Sequence, residues 1–220
     1  VGDVAESLRG MSADESVIQL KVDNPDLATA YRQMGQSTFR AYDMLIITTP
    51  SLAASFQPLK DFNDTTGILT EIHTTDQVGS TSPDDIRDYI RDRYLADGIQ
   101  YVIIGADDDI IPAKNLYVAS WDGGGAEIET AMPTDLFFAC LDGTYNYDGD
   151  SYWGEPTDGE GGGDVDLMAE VWVGRACAGS TTEVDRFVNK TIQYITSSGD
   201  YLENVLMVGE YLGFGGVSDY

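Results

Sequence analysis

The residues best suited to chemistry stand in one short run, Asn146-Tyr147-Asp148-Gly149-Asp150-Ser151-Tyr152-Trp153-Gly154-Glu155. Oxygen-bearing side chains recur at every second position, Gly149 permits a tight turn, and a further carboxylate, Glu155, lies five residues after Asp150. A hard cation such as Ca2+ takes about six to eight oxygens from a compact loop. The spacing therefore nominates Asn146, Asp148, Asp150 and Glu155 as ligands, with the Tyr152 carbonyl as an extra one and Asp158, Glu160, Asp164 and Asp166 available to close the shell. It departs from an EF-hand, because Glu155 comes too early and the glycine is shifted. The plainer reading is a solvated acidic loop.

Other chemistry-bearing residues are sparse. Asp107-Asp108-Asp109 follows an apolar run ending at Gly105, where ligands bind in open α/β sheets. The same acids also suit a solvated turn before Pro112. The chain has one histidine, His73, and two cysteines, Cys140 and Cys177. A catalytic thiol needs a neighbouring base, so within this chain His73 alone could serve. The default for His73 is a satisfied residue at a strand end, and for both cysteines a buried small hydrophobe.

Composition narrows the classes. Twelve Lys and Arg against 38 Asp and Glu leave a net charge of −26 on 220 residues. Such a surface cannot neutralise phosphates, which argues against nucleic acid and against an anionic membrane surface. No apolar run approaches the roughly 18–20 residues of a membrane span. A hydrophobic fraction of 42% rules out wholesale disorder. Acidity alone suits high salt, calcium ligation or attraction of basic substrates. The first residue is Val1, so the sequence reads as a processed or truncated product.

These residues need elements to position them. Val17–Val22 suits a strand and Pro25 to Arg40 a short helix. Met44–Ile47 is a fully apolar run before Thr48-Thr49-Pro50, as expected of a strand buried on both faces. A helix over 51–64 follows, with Pro58 bending or restarting it and Gly67 ending it. Ile68 to His73 reads as a strand. Ser82-Pro83-Asp84-Asp85 opens a helix closed by Gly98. Tyr101–Gly105 is a third strand, and the β-α-β-α-β order implies a parallel sheet. Asn115–Trp121 and Leu136–Leu141 read as strands about a Gly123–Gly125 turn, and 142–166 as an acidic, glycine-rich loop. Glu170–Gly174 is a strand, Ser180-Thr181-Thr182-Glu183 a capping box opening a helix, and Val205–Gly209 a last buried strand. That strand is left without a covering helix, and Gly213–Tyr220 reads as an exposed loop open to nicking.

Several segments resemble gingipain-type cysteine peptidases, peptidase family C25. Tyr101–Gly105 followed by Ile111-Pro112-Ala113-Lys114 is similar to a strand and turn of that family. Pro133-Thr134-Asp135-Leu136-Phe137-Phe138-Ala139-Cys140-Leu141-Asp142-Gly143 resembles its P-(S/T)-D-x-x-(Y/F)-A-x-L-D-G segment, and Glu170–Arg175 its E-V-x-(V/I)-G-R strand. The turn 105–112 looks one residue longer than the family's. The resemblance covers about residues 42–215 and implies a three-layer, parallel-sheet, caspase-like α/β fold in two subdomains, the second incomplete here. It divides the chain into an extension over 1–41, a first subdomain over 42–141, the calcium loop over 142–166, and the start of a catalytic subdomain over 167–220. It further implies an extracellular endopeptidase whose Cys and His lie beyond this chain, on a C-terminal remainder of the same precursor. Glu170 then supports the catalytic His, and Glu183 lines a pocket for Arg or Lys of a peptide or protein substrate. The competing reading is a non-catalytic, calcium-stabilised α/β binding module.

Overall fold

The computed structural model describes residues 41–121, 126–165, 167–199 and 205–206. The expected elements at Val17–Val22 and Pro25–Arg40, the Gly123–Gly125 turn, residues 207–209 of the expected last strand and the Gly213–Tyr220 segment lie outside the described residues, as does Asp166. In chain order the elements are β1 (Met44–Thr48), α1 (Ala53–Thr66), β2 (Thr70–Thr74), α2 (Thr75–Val78), α3 (Pro83–Asp97), β3 (Tyr101–Gly105), β4 (Lys114–Trp121), β5 (Ala126–Thr134), α4 (Leu136–Ala139), β6 (Trp172–Arg175) and α5 (Thr181–Thr196).

Four strands form one parallel sheet in the order β2-β1-β3-β6. The apolar run of β1 takes a central place, and Leu45, Ile46 and Ile47 are all fully buried, as a strand covered on both faces requires. The flanking helices lie on opposite faces. Asn63 of α1 bonds Thr70 of β2, and Tyr89 of α3 bonds His73, three positions further along the same strand. Side chains alternate along a strand, so an odd separation puts the two helices on different faces. α5 packs beside α1 through the edge-to-face rings of Phe56 and Phe187. The result is a helix–sheet–helix sandwich.

The helix signals act as the sequence implies. Ser82 holds the N-cap position of α3 with Pro83 at its start, and Gly98 closes it in the left-handed conformation. Pro58 neither splits nor restarts α1, which runs unbroken from Ala53 to Thr66. The region between β3 and β6 differs from expectation. The partner of β4 is Ala126–Thr134, and the Leu136–Leu141 segment begins with the short helix α4. A short apolar run fits a buried helical turn as well as a strand. β5 carries Pro133 and low-propensity Ala and Glu, so its ladder comes from β4 rather than from intrinsic preference. Val205 and Leu206 lie outside any strand and are exposed.

One buried side chain ties the sandwich to these connections. Arg175, at the end of β6, donates from Nε and Nη2 to the two carboxylate oxygens of Asp135 at 2.8 and 2.7 Å. Its Nη1 donates to the carbonyls of Ala106 and Ile111 at 2.9 and 2.7 Å. The guanidinium thereby joins β6, the turn after β3 and the start of α4. Removing one partner of a buried pair strands the other charge, at about 3–5 kcal/mol when both are fully buried. Asp135 retains 27% side-chain exposure, so the cost is lower. Asp135→Ala is expected to lower unfolding free energy by roughly 2 kcal/mol in urea titration, more than Asp109→Ala on the exposed turn.

Candidate functional site

The carboxyl ends of β1, β3 and β6 form the rim where an open α/β sheet binds ligands. Asp107 and Asp108 stand there exposed, yet their carboxylates are engaged locally. Asp107 accepts from the Asp108 N–H at 2.9 Å, and Asp108 accepts from the Ala113 N–H at 2.6 Å. The Asp107 N–H donates to the Ala178 carbonyl at 3.1 Å, joining this turn to the segment after β6. Cys177 lies in that segment and is exposed, against the expectation of a buried thiol. The ladder ends at Arg175, so Cys177 falls beyond the strand's cover. Cys140 is buried as expected.

His73 is remote from Cys177. It lies on β2, the edge strand opposite β6, and three strand spacings of about 4.8 Å put roughly 14 Å between those strands. Its Nδ1 shares a 2.8 Å hydrogen bond with the Tyr89 hydroxyl, and its ring meets Tyr42 and Tyr89 edge to face. The chain's one imidazole is therefore committed to packing, and no Cys–His pair forms among the described residues.

Glu170 lies at the amino end of β6, the end of the sheet opposite the rim. Its Oε2 accepts from the Leu141 N–H at 2.7 Å. Glu183 lies near the rim in the first turn of α5 and accepts from the Gly179 N–H at 2.9 Å and the Ser180 hydroxyl at 3.0 Å. These bonds hold its carboxyl below the usual range. The reciprocal capping box expected from the sequence is not formed, because the Ser180 hydroxyl bonds the Glu183 carboxylate and makes no cap bond to the helix backbone.

The acidic loop is more ordered than its composition suggests. It begins at buried Tyr145, a non-glycine residue with φ of 62°, and the Gly154 N–H closes the turn onto the Tyr145 carbonyl at 2.7 Å. Asp158, 1% exposed, accepts from the Tyr147 and Glu155 N–H groups at 3.0 and 2.9 Å. Carboxylate oxygens of Asp148, Glu155 and Asp158 lie within 4.8 Å of one another. Burial, then Asp150, Asp148 and Asp158, push the Glu155 carboxyl up. Asn146 donates to the Asp150 carbonyl at 3.1 Å, while its buried Oδ1 has no hydrogen-bond partner. A buried amide oxygen with nothing to accept from is costly unless something electropositive fills the gap. Asp150 itself accepts from the Tyr152 N–H at 2.6 Å. The fold thus brings Asp148 and Glu155 together with Asp158, and leaves Asn146 and Asp150 beside them. Asp164 stands apart, accepting from the Thr144 N–H at 3.0 Å and from the Thr144 hydroxyl.

Cations and aromatic rings support this loop. Buried Arg87 donates to the carbonyls of Cys140, Asp142 and Gly143 at 2.9, 2.6 and 3.1 Å, and its guanidinium sits 4.6 Å from the Phe137 ring centre. Lys114 pairs with Asp84 at 2.9 Å and lies 3.0 Å from the Trp153 ring centre. Burial lowers the Lys114 pKa despite Asp84. Gly143 has φ of +66° and is backed by the Asp164 carbonyl, so no side chain fits there. Sequence reading missed the roles of Arg87, Lys114 and the Asp135–Arg175 pair. The available signal was that Lys114, Asp135 and Arg175 each fall inside a family-like segment, whereas Arg87 carried none.

The model of peptidase family C25 matches residues 37–219. A solved structure described as a protease is 19% identical with a TM-score of 0.50, over 77% of this chain and 31% of that one. The complex of the pro- and mature domains of RgpB from Porphyromonas gingivalis is 19% identical with a TM-score of 0.48, over 69% of this chain and 29% of that one. The Arg-specific cysteine proteinase gingipain R is 18% identical with a TM-score of 0.48, over 70% of this chain and 28% of that one. The chain therefore spans less than a third of the length of these structures. No curated protein matches it.

The two thiols differ enough in exposure to be separated chemically. Brief iodoacetamide treatment of the native protein, read by peptide mass spectrometry, is expected to label Cys177 and spare Cys140 until denaturant is added. Equal labelling of both in the native state counts against the packing of the segment after α4.

Proposed function

The chain belongs to peptidase family C25, and on that premise we propose that it is the amino-terminal portion of an extracellular, calcium-binding cysteine endopeptidase. The observation that carries this reading is the placement of its thiol and imidazole. Cys177 is exposed at the rim, but His73 is locked on the opposite edge strand. The nucleophile and base then come from a further part of the same precursor. β6 offers the place to dock it, because β6 is an edge strand of the described sheet and carries Trp172 at 68% exposure.

In the reaction, a thiolate of that part attacks the peptide carbonyl. Imidazolium then gives its proton to the leaving amine, and water hydrolyses the thioester. Glu183, near the rim, is the proposed acid facing an Arg or Lys side chain at the cleaved bond. No helix among the described residues is long and apolar enough to cross a membrane.

Calcium is proposed at Asp148, Asp150, Glu155 and Asp158, with Asn146 Oδ1 and the Tyr152 carbonyl completing the oxygen set. The support is the convergence of carboxylates around an unsatisfied amide oxygen. Bound calcium would neutralise carboxylates that otherwise repel one another.

The complete precursor is expected to cleave fluorogenic peptides with Arg or Lys at the scissile bond and to lose activity to iodoacetamide, with Glu183→Gln raising KM for basic substrates. Activity insensitive to thiol alkylation, or no activity at all, favours the non-catalytic binding module. Separately, millimolar Ca2+ is expected to raise Tm over excess chelator. The gain is about 2.7 kcal/mol at a hundredfold excess over Kd. Glu155→Gln should shrink that gain while raising Tm in chelator. An unchanged Tm in wild type overturns the calcium assignment.

A further inference from the structure

The chain's single imidazole, His73, lies on the face of the sheet beneath α3. His73 is half-buried between the rings of Tyr42 and Tyr89, with centroids 5.9 and 5.8 Å away. Charged and titratable groups meet it from three sides. Glu71 lies on its own strand, Tyr89, Arg93 and Asp97 come from α3, and Tyr42 comes from the segment before β1.

Two of these are carboxylates that could in principle balance a charged imidazole, but both already have partners. Asp97 holds Arg93 at 2.9 Å and accepts from the Tyr42 hydroxyl at 3.2 Å. Glu71 lies 3.6 Å from Lys60. A proton on His73 would therefore place a second cation near Arg93, within an aromatic sandwich and without a dedicated counter-ion.

We propose that His73 is an acid-sensitive latch that holds α3 to β2 when neutral and loosens it when protonated. The latch takes the neutral ring as the Nε2–H tautomer, in which Nδ1 accepts from the Tyr89 hydroxyl across the 2.8 Å contact. On acidification water delivers a proton to Nδ1, and Tyr89 must rotate its own hydrogen away and accept instead. The hydrogen bond reverses, while the charge remains to be accommodated. α3 also carries Arg87, which grips the carbonyls of Cys140, Asp142 and Gly143. Loosening α3 therefore reaches the base of the acidic loop. Acid thus reaches residues 140–143 as well as the edge strand.

The direction of the pH effect follows from burial, which keeps the folded-state imidazole below its ordinary range despite Glu71 and Asp97, with Arg93 acting in the same sense as burial. As pH falls through about 6.5, the unfolded chain takes up the proton first. Stability contributed by neutral His73 is present above that pH and is lost on acidification, until the folded state also protonates.

The test is the pH dependence of unfolding in the complete protein. Across that window the unfolding constant of wild type is expected to rise as pH falls, by at most about tenfold per pH unit, relative to His73→Phe, which carries no titrating group there. Identical pH slopes for the two proteins overturn the proposal. If His73→Phe does not fold, the His73 resonance in carbon-13-labelled wild type, assigned with His73→Gln, gives the answer directly. Titration below the unperturbed value supports the latch, and titration at or above it overturns it. Amide exchange at pH 7.5 and 5.5, corrected for intrinsic rates, should show faster exchange confined to α3, β2 and residues 140–143. Uniform acceleration across β1 and β3 would mean general acid unfolding instead, and overturns the latch as a local device.

Discussion

The guanidinium of Arg175 joins three segments that the parallel sheet alone would leave separate. It is almost wholly buried, and its desolvation is offset by both carboxylate oxygens of Asp135 and by two backbone carbonyls. Burial works against the charge, yet hydrogen bonding to Asp135 holds the group above its ordinary pKa. A buried pair adds little net stability over a well-packed apolar substitute, but it restricts the arrangements a chain can adopt. The carbonyls of Ala106 and Ile111 face the end of β6 and would be costly to leave unpaired. Arg175 holds the turn after β3, the start of α4 and the end of β6 against one another. That junction sets the shape of the rim on which Asp107, Cys177 and the amino end of α5 stand.

A second constraint is charge. A net charge of −26 on 220 residues cannot be dispersed evenly, and the fold spends its few cations at points of high leverage. Arg87 and Lys114 are both buried and sit beneath the acidic loop, against Phe137, Tyr145 and Trp153. Burial would ordinarily expel such charges. Ring faces and backbone carbonyls hold them, and their field opposes the repulsion among carboxylates above. The lower half of the loop is thus compensated by protein, whereas Asp148, Glu155 and Asp158 converge without an ion pair to Lys or Arg among the described residues. An ion-binding loop needs that asymmetry, a fixed base and an unneutralised crown, if binding is not to cost extensive reordering.

Some of this was legible in the residues, and the limits have physical causes. β1 and β3 announce themselves through unbroken apolar runs, α3 through Pro83 and Gly98, and α5 through Ser180 and its periodic apolar stripe, which are local signals. β2 and β6 each begin two residues later than their apolar patterns suggest, because the ladder starts where a neighbour pairs and not where hydrophobicity begins. β5 is invisible by propensity, since β4 supplies its stability. In the loop, alternating oxygens point to Asp148 and Glu155. Asp158 takes its central place because the Tyr147 and Glu155 N–H groups pin it, a fact of chain closure rather than of spacing. Cys177 reads as buried because it follows a strand, but it lies past the last paired residue. Contacts such as Asp135–Arg175, separated by 40 residues, are fixed only once the sheet exists.

The two edges of the sheet are finished in opposite ways, and this gives the chain a direction. β2 is closed off: Lys60 reaches Glu71 and the Thr70 carbonyl, His73 is locked by Tyr89, and Thr74 begins the capping of α2. Charged and capped side chains of this kind discourage a further strand. β6 has no comparable cover among the described residues. Trp172 is exposed and leans on Tyr101 at 5.4 Å, and Leu167 and Met168 just before it are exposed as well. Among the described residues, β6 is therefore the edge better suited to take a further strand. The nearest thiol of this chain, Cys177, lies on that side, and its imidazole lies on the other. The asymmetry therefore leaves the uncovered edge of the described sheet next to the rim that Arg175 shapes.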